Sequence, residues 1–155
     1  MAPSFVTEPK GSRMATDMSS LAREILTFEM GPSVPTTSAQ VAVGAVEVWG
    51  KLARHFSRLL GEQGMRTLLD RSVDLTSRTF PWFASVRSTM DADAAMIELR
   101  GCLEQRDVQD ATDGFVGLVG ALIALLERCI GNALVARLLR EVWPQIASLE
   151  AKESL

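Results

Sequence analysis

Histidine, cysteine and tyrosine are scarce in this chain, and each scarcity excludes some chemistry. Tyrosine is absent, and His55 is the one histidine among 155 residues. A metal site built on several histidines is therefore excluded. Cys102 and Cys129 are the only cysteines. We expect both thiols to be buried and inert, because two cysteines on apolar helical faces are typical of a reduced core and not of a disulfide framework.

The chain also lacks a cluster of like charge and a long apolar run. Its 16 basic and 19 acidic residues are interspersed and give a net charge of −3. No basic stripe indicates a nucleic-acid surface or a membrane-surface helix. The apolar run Gly114 to Leu126 is shorter than the about 20 residues that span a bilayer. We therefore expect no nucleic-acid partner, no membrane insertion and, since residues 1–13 carry no signal-peptide core, a cytoplasmic location.

Apolar residues recur at helical spacing along most of the chain, and no segment shows convincing strand alternation. Hydrophobic residues make up 47% and charged residues 23%, which is typical of one globular domain. The pattern predicts an all-α bundle of about six helices over residues 16–150, after a flexible tail at residues 1–15. The first helix, about 17–29, places Phe28 on the same apolar stripe as Leu21. Ser38 is the expected N-cap of the second helix.

Two passages of the chain, 50–73 and 120–143, resemble each other. Each contains a helix, a glycine turn and a second amphipathic helix. The identical positions include Gly50/Gly120, Leu52/Leu122, Arg58/Arg128, Gly61/Gly131, Leu68/Leu138 and Leu69/Leu139. We predict two hairpins, about 38–78 and about 108–143, packed around a pseudo-two-fold axis, since one such hairpin cannot bury both faces. Two unrelated leucine-rich hairpins would give a similar pattern.

Aromatic and small residues mark two candidate contact surfaces. Phe80, Trp82 and Phe83 surround a proline that breaks the third helix. Buried, these aromatic side chains would close the bundle; exposed, they would bind a partner or ligand. Gly117 and Gly120 lie among apolar residues of the fifth predicted helix. They permit close approach of another helix, either within the monomer or across a dimer axis.

His55 and three aspartates are the remaining candidates for chemistry. His55 lies at the edge of an apolar stripe, with Arg58 three residues later. It is a boundary histidine or, in the alternative interpretation, a phosphoacceptor resembling that of histidine phosphotransfer domains, although Leu59 stands where those have glycine. Asp107, Asp110 and Asp113 recur every third residue. This spacing suits a helix N-terminus better than a calcium loop, so we expect no metal site and no cofactor.

The passages "LLGEQGMRTLLDRSVDLTSRTFPWF" and "LIALLERCIGNALVARLLREVWP" resemble a pattern in uncharacterised bacterial helical proteins that occur alone or beside signalling modules. The resemblance covers residues 46–144, and Phe80-Pro81-Trp82 and Trp143-Pro144 are its most specific parts. It implies a place in bacterial signalling, and no functional residue follows from it.

These features together predict a non-enzymatic regulatory or adaptor module that acts by protein–protein contacts, with a homodimer as the expected assembly. Two alternatives remain at this point. The bundle could be a sensor that holds an apolar small molecule between helices, or a phosphotransfer protein that uses His55. An enzyme would require a pocket with perturbed carboxylates, for which Asp70 and Asp74 are the candidates.

Overall fold

A computed structural model of the chain describes residues 10–86 and 92–146, and side chains from residue 19 onward in the first range and from residue 94 in the second. These residues form five α-helices and a short 3₁₀ helix. The elements are α1 (Lys10–Met30), α2 (Ser38–Ser77), the 3₁₀ helix (Pro81–Ser85), α3 (Ala92–Glu104), α4 (Val108–Ile130) and α5 (Asn132–Val142). The described ranges contain no strand, so the all-helical prediction is confirmed for them.

The predicted number of six helices is wrong for the described residues. The predicted second and third helices form the single element α2, which runs through Gly61 with a kink. Gly61 has φ 79° and ψ 163°, a conformation open to glycine alone, so the helix axis changes direction there while helical hydrogen bonding resumes on both sides. Helix α1 also begins earlier than expected, at Lys10, and includes residues 10–15 of the predicted tail. Residues 10–30 contain no proline, so helical hydrogen bonding can extend from the packed part of α1 toward the N-terminus.

The two glycine turns of the sequence repeat share one backbone conformation. Gly131, between α4 and α5, has φ 88° and ψ 151°, close to the values at Gly61. Beyond the turns the two hairpins differ, because the part of α2 after Gly61 continues to Ser77 whereas α5 ends after 11 residues at Val142. The predicted two-fold relation of the complete hairpins is not confirmed by this arrangement.

Helix α4 occupies the centre of the bundle and packs against α1, α2, α3 and α5. Its middle is apolar on nearly every side, and it carries ten of the buried residues. Asp107 caps its N-terminus and accepts a hydrogen bond from the Asp110 amide at 2.7 Å. The largest fully buried side chains of the described residues are Trp143, Phe56, Phe83, Phe115, Ile25, Leu26, Leu52, Met65, Leu99, Leu103, Leu118 and Leu122. None of the described helices is both long enough and apolar enough to cross a bilayer.

The start of α2 shows how local chemistry sets a helix boundary. Thr37, one residue before the expected cap, accepts a hydrogen bond from the Gln40 amide, and the Gln40 side chain accepts one from the Thr37 amide. This reciprocal pair is a capping box. Ser38 instead donates from its hydroxyl to the Glu104 carbonyl at 2.9 Å, which fastens the end of α3 to the start of α2.

Candidate functional site

The aromatic segment after α2 folds into a compact wedge. Pro81 begins the 3₁₀ helix, where its missing amide hydrogen is not needed. Phe83 is fully buried, while Phe80 and Trp82 are half-buried. The rings of Trp82 and Phe83 stack with centroids 4.2 Å apart, and the guanidinium carbon of Arg106 lies 5.4 Å from the Trp82 ring centroid. Phe83 therefore anchors the wedge, and only parts of the Phe80 and Trp82 rings contact solvent.

Glycines of α4 receive this wedge. A Cβ atom built on Gly114 would lie 2.6 Å from Cζ2 of Trp82, and one built on Gly117 would lie 3.5 Å from Cε2 of Phe80. The absence of side chains thus lets the aromatic rings lie directly on the helix backbone. Gly120 is buried one turn further along α4. Gly114 and Gly117 therefore make room for a contact within the monomer, between α4 and the aromatic wedge.

His55 belongs to α2, and its side chain contacts α5. Its Nε2 atom is 2.9 Å from Oε1 of Glu141, and its side chain is 21% exposed. A phosphoryl group on Nε2 would displace this carboxylate or face its negative charge at close range. Arg58 is exposed on the following turn of α2. The geometry therefore favours a structural tie between two helices over phosphate transfer at this nitrogen.

The acidic residues at the start of α4 stabilise the helix. Asp107 is its N-cap, and Asp113 accepts hydrogen bonds from Arg23 of α1 at 3.2 Å and from Gln109 at 2.9 Å. In the ranges that the structure describes, no group of three or more histidine, cysteine, aspartate or glutamate side chains is arranged to hold a metal ion. Asp74 forms exposed ion pairs with Arg71 and Arg78.

The two cysteines differ from each other, and the expectation that both are buried is wrong. Cys129 is exposed in the last turn of α4, whereas Cys102 of α3 is half-buried. The thiol of Cys102 lies 3.0 Å from the Ser85 hydroxyl and donates to the Trp82 carbonyl at 3.4 Å. Burial raises the pKa of Cys102, an effect that the Ser85 hydrogen bond partly opposes. A thiol with a raised pKa is a poor nucleophile.

A polar junction that the sequence analysis missed joins α1, α2 and the segment after α5. Oε2 of Glu29 accepts a hydrogen bond from Nζ of Lys51 at 2.6 Å and another from Nε1 of Trp143 at 2.7 Å. Trp143 is fully buried, and the Glu29 side chain is only 9% exposed. Residues 29 and 143 are 114 positions apart, so no local sequence pattern could have paired them.

A groove on α1 lies beside this junction. We name it the α1 groove; it is lined by Ser19, Ser20, Arg23, Glu24, Thr27, Phe28, Gln145 and Ile146. It holds about 640 Å³ and is open to solvent. Phe28, expected in the core from its place on an apolar stripe, is 44% exposed here. The stripe faces the core at Leu21 and Ile25 but has turned toward the surface by the last turns of the helix.

The chain was compared with known proteins through its sequence and its fold. No family model, no curated protein and no solved structure matches it. The resemblance to uncharacterised bacterial helical proteins therefore stays a prediction.

Proposed function

We propose that this protein is a non-enzymatic adaptor module that binds a short segment of a partner protein in the α1 groove. The observation that carries the proposal is the position of Phe28, a large aromatic side chain 44% exposed within a groove that Ile146 also lines. Exposed aromatic residues in concave surfaces are typical anchors of protein–protein contacts. The partner segment is expected to contribute one large apolar side chain to this end of the groove.

The length of the groove favours a peptide over a compact ligand. Its lining residues on α1 run from Ser19 to Phe28, which corresponds to about 13 Å along the helix axis. An extended chain of about four residues has the same length. Small-molecule sites usually enclose most of their ligand, whereas this groove is open to solvent.

The polar lining also suits a peptide backbone. Ser19, Ser20 and Thr27 provide hydroxyl groups along α1, and Gln145 provides an amide on the other side. Hydroxyl and amide groups can each donate and accept, which matches the alternating amides and carbonyls of an extended chain. Arg23 also lines the groove, where it forms an exposed ion pair with Asp113 at 3.2 Å.

The two alternative functions receive less support from the geometry. The space beside α4 at Gly114 and Gly117 is taken by Trp82 and Phe80, which leaves no room there for an apolar ligand. Nε2 of His55 faces Glu141, which opposes phosphate transfer.

The proposal includes a setting and an assembly. A cytoplasmic role in bacterial signalling agrees with the sequence resemblance, and the homodimer expected from the sequence stays part of the proposal. We also propose that the two hairpins arose by duplication of one unit, which the shared conformation of Gly61 and Gly131 supports.

A displayed peptide library tests the docking surface. The wild-type protein, a Phe28→Glu variant and an Ile97→Glu variant are each offered the same library. Ile97 is the matched control because it is 73% exposed on α3 and does not line the α1 groove. Peptides that share an apolar anchor should bind wild type and Ile97→Glu alike, and binding should fall at least about tenfold with Phe28→Glu, since a charge in an apolar contact is costly.

Three other outcomes would overturn the proposal. The library could yield no binder, or its binders could tolerate Phe28→Glu. Alternatively, sedimentation could show that wild type forms a dimer which Phe28→Glu dissociates, and the groove would then be the contact between two copies of the chain.

A further inference from the structure

The side of the α1 groove opposite the helix is a tight turn after α5. The Trp143 amide donates to the Leu139 carbonyl at 2.8 Å, and the Ile146 amide donates to the Trp143 carbonyl at 3.2 Å. Gln145 and Ile146, which line the groove, are therefore carried on a turn whose position depends on Trp143. The Trp143 ring is fully buried, so it acts as the anchor of this turn.

A hydrogen bond joins this turn to the helical side of the groove. The indole N–H of Trp143 donates to Oε2 of Glu29, the residue that follows Phe28. The bond thus connects a point one residue from Phe28 with a point three residues from Ile146.

The acceptor of that bond is held in place by α2. Lys51 donates to the same carboxylate oxygen and forms an ion pair with it, which compensates for the burial of Glu29. Hydrogen bonds to an ionised acceptor are shorter and stronger than neutral ones, in agreement with the distances of 2.6 Å and 2.7 Å. One turn further along α2, His55 contacts Glu141 and ties down the end of α5.

We infer that Glu29 and Trp143 are positioning residues for the α1 groove, and that their hydrogen bond sets its width. This inference rests on the proposed docking function. Neither side chain lines the groove. Loss of the bond should therefore widen the groove and weaken docking while every lining residue remains in place.

Amide hydrogen exchange at Ile146 tests the inference without a ligand. Trp143→Phe removes the N–H donor and keeps an aromatic ring. Val135→Ala is the control, because Val135 is buried on the first turns of α5 and lies away from the groove, so its truncation lowers stability without touching the turn. The two variants are compared under conditions equally far from their own unfolding midpoints. Under these conditions, we expect exchange at the Ile146 amide to be about tenfold faster in Trp143→Phe than in Val135→Ala.

The same variants are then tested with a peptide selected on wild type. Trp143→Phe should weaken its binding about tenfold, whereas Val135→Ala should leave it unchanged. If Trp143→Phe does not fold, Glu29→Gln takes its place, since it removes the charge of the acceptor and keeps its size. Exchange at Ile146 no faster than in the control overturns the inference, whether or not a peptide is found. A wild-type protein that binds no peptide contradicts the proposed function and leaves the exchange result to decide on the positioning role.

Discussion

The Trp82 ring occupies the place that a side chain at residue 114 would need. A Cβ atom built on Gly114 would lie 2.6 Å from Cζ2 and 2.7 Å from Cη2 of Trp82, and 3.1 Å from Cε2 of Phe83. Trp82 cannot move away easily, because its ring stacks on Phe83 and Arg106 lies over the ring. This close approach is the reason for a glycine in the interior of α4, where glycine is otherwise unfavourable.

Gly114→Ala should destabilise the protein. Overpacking of the aromatic wedge is expected to outweigh the gain in helix propensity, with a net loss of about 1–2 kcal/mol in the free energy of unfolding. Denaturant unfolding followed by circular dichroism measures it. Gly101→Ala in α3 is the control, since apart from the backbone of its own helix no described heavy atom lies within 4 Å of a Cβ placed there. That variant should be stabilised by about 0.5–1 kcal/mol, and equal effects of the two substitutions would contradict our account of Gly114.

Gly61→Ala and Gly131→Ala should have similar effects, because both glycines adopt the same backbone conformation. With φ near 80–90° and ψ above 150°, each lies in a region that residues with a Cβ atom avoid. Apart from the adjacent backbone, no described atom lies within 4 Å of a Cβ placed on either glycine, so the strain is in the backbone alone. Each substitution should lower the free energy of unfolding by about 1–3 kcal/mol. Thermal and denaturant unfolding of both variants measure this; a harmless substitution at only one site would show that the two turns are not equivalent.

Local patterns predicted the parts of the fold that depend on neighbouring residues. Helical periodicity gave the all-α class, and the turn at Gly131 and the break at Pro81 follow from glycine and proline chemistry. The glycine at residue 61 also predicts a change of chain direction, and the backbone leaves the helical conformation there, although α2 continues from Ser38 to Ser77 across this kink. The exposure of Phe28 and Cys129 depends on where neighbouring helices end, and the Glu29 junction depends on a contact over 114 positions. These features required the tertiary structure.

The two thiols should react at different rates. Burial raises the pKa of Cys102, and the nearby Glu98 carboxylate raises it further, while the Ser85 hydrogen bond and Arg106 oppose the shift. At any pH below its pKa, Cys102 is therefore less ionised than an ordinary thiol, and the thiolate is the reactive form. Cys129 is exposed. Mass spectrometry after brief iodoacetamide treatment near pH 8 should find Cys129 modified first. Ser85→Ala should slow Cys102 further, because it removes the contact that lowers the pKa; a faster reaction in that variant would contradict the assignment.

Glu29→Ala should be the most damaging of the ion-pair substitutions. It leaves the indole N–H of Trp143 buried without an acceptor, whereas Lys51, 34% exposed, can turn its ammonium group to water. We expect a loss of about 2 kcal/mol in the free energy of unfolding. Asp74→Asn, which breaks only exposed pairs with Arg71 and Arg78, should change stability by less than about 0.5 kcal/mol.

A double-mutant cycle separates the hydrogen bond from the packing of the Trp143 ring. Trp143→Phe alone removes ring volume and the indole N–H donor. Glu29→Ala alone leaves that donor buried without an acceptor. The double variant has no indole donor that could be left without an acceptor. Its loss in the free energy of unfolding should therefore be smaller than the sum of the two single losses by about 1 kcal/mol. Additive losses would mean that the Glu29–Trp143 bond contributes nothing, and that Glu29 stabilises the fold through Lys51 alone.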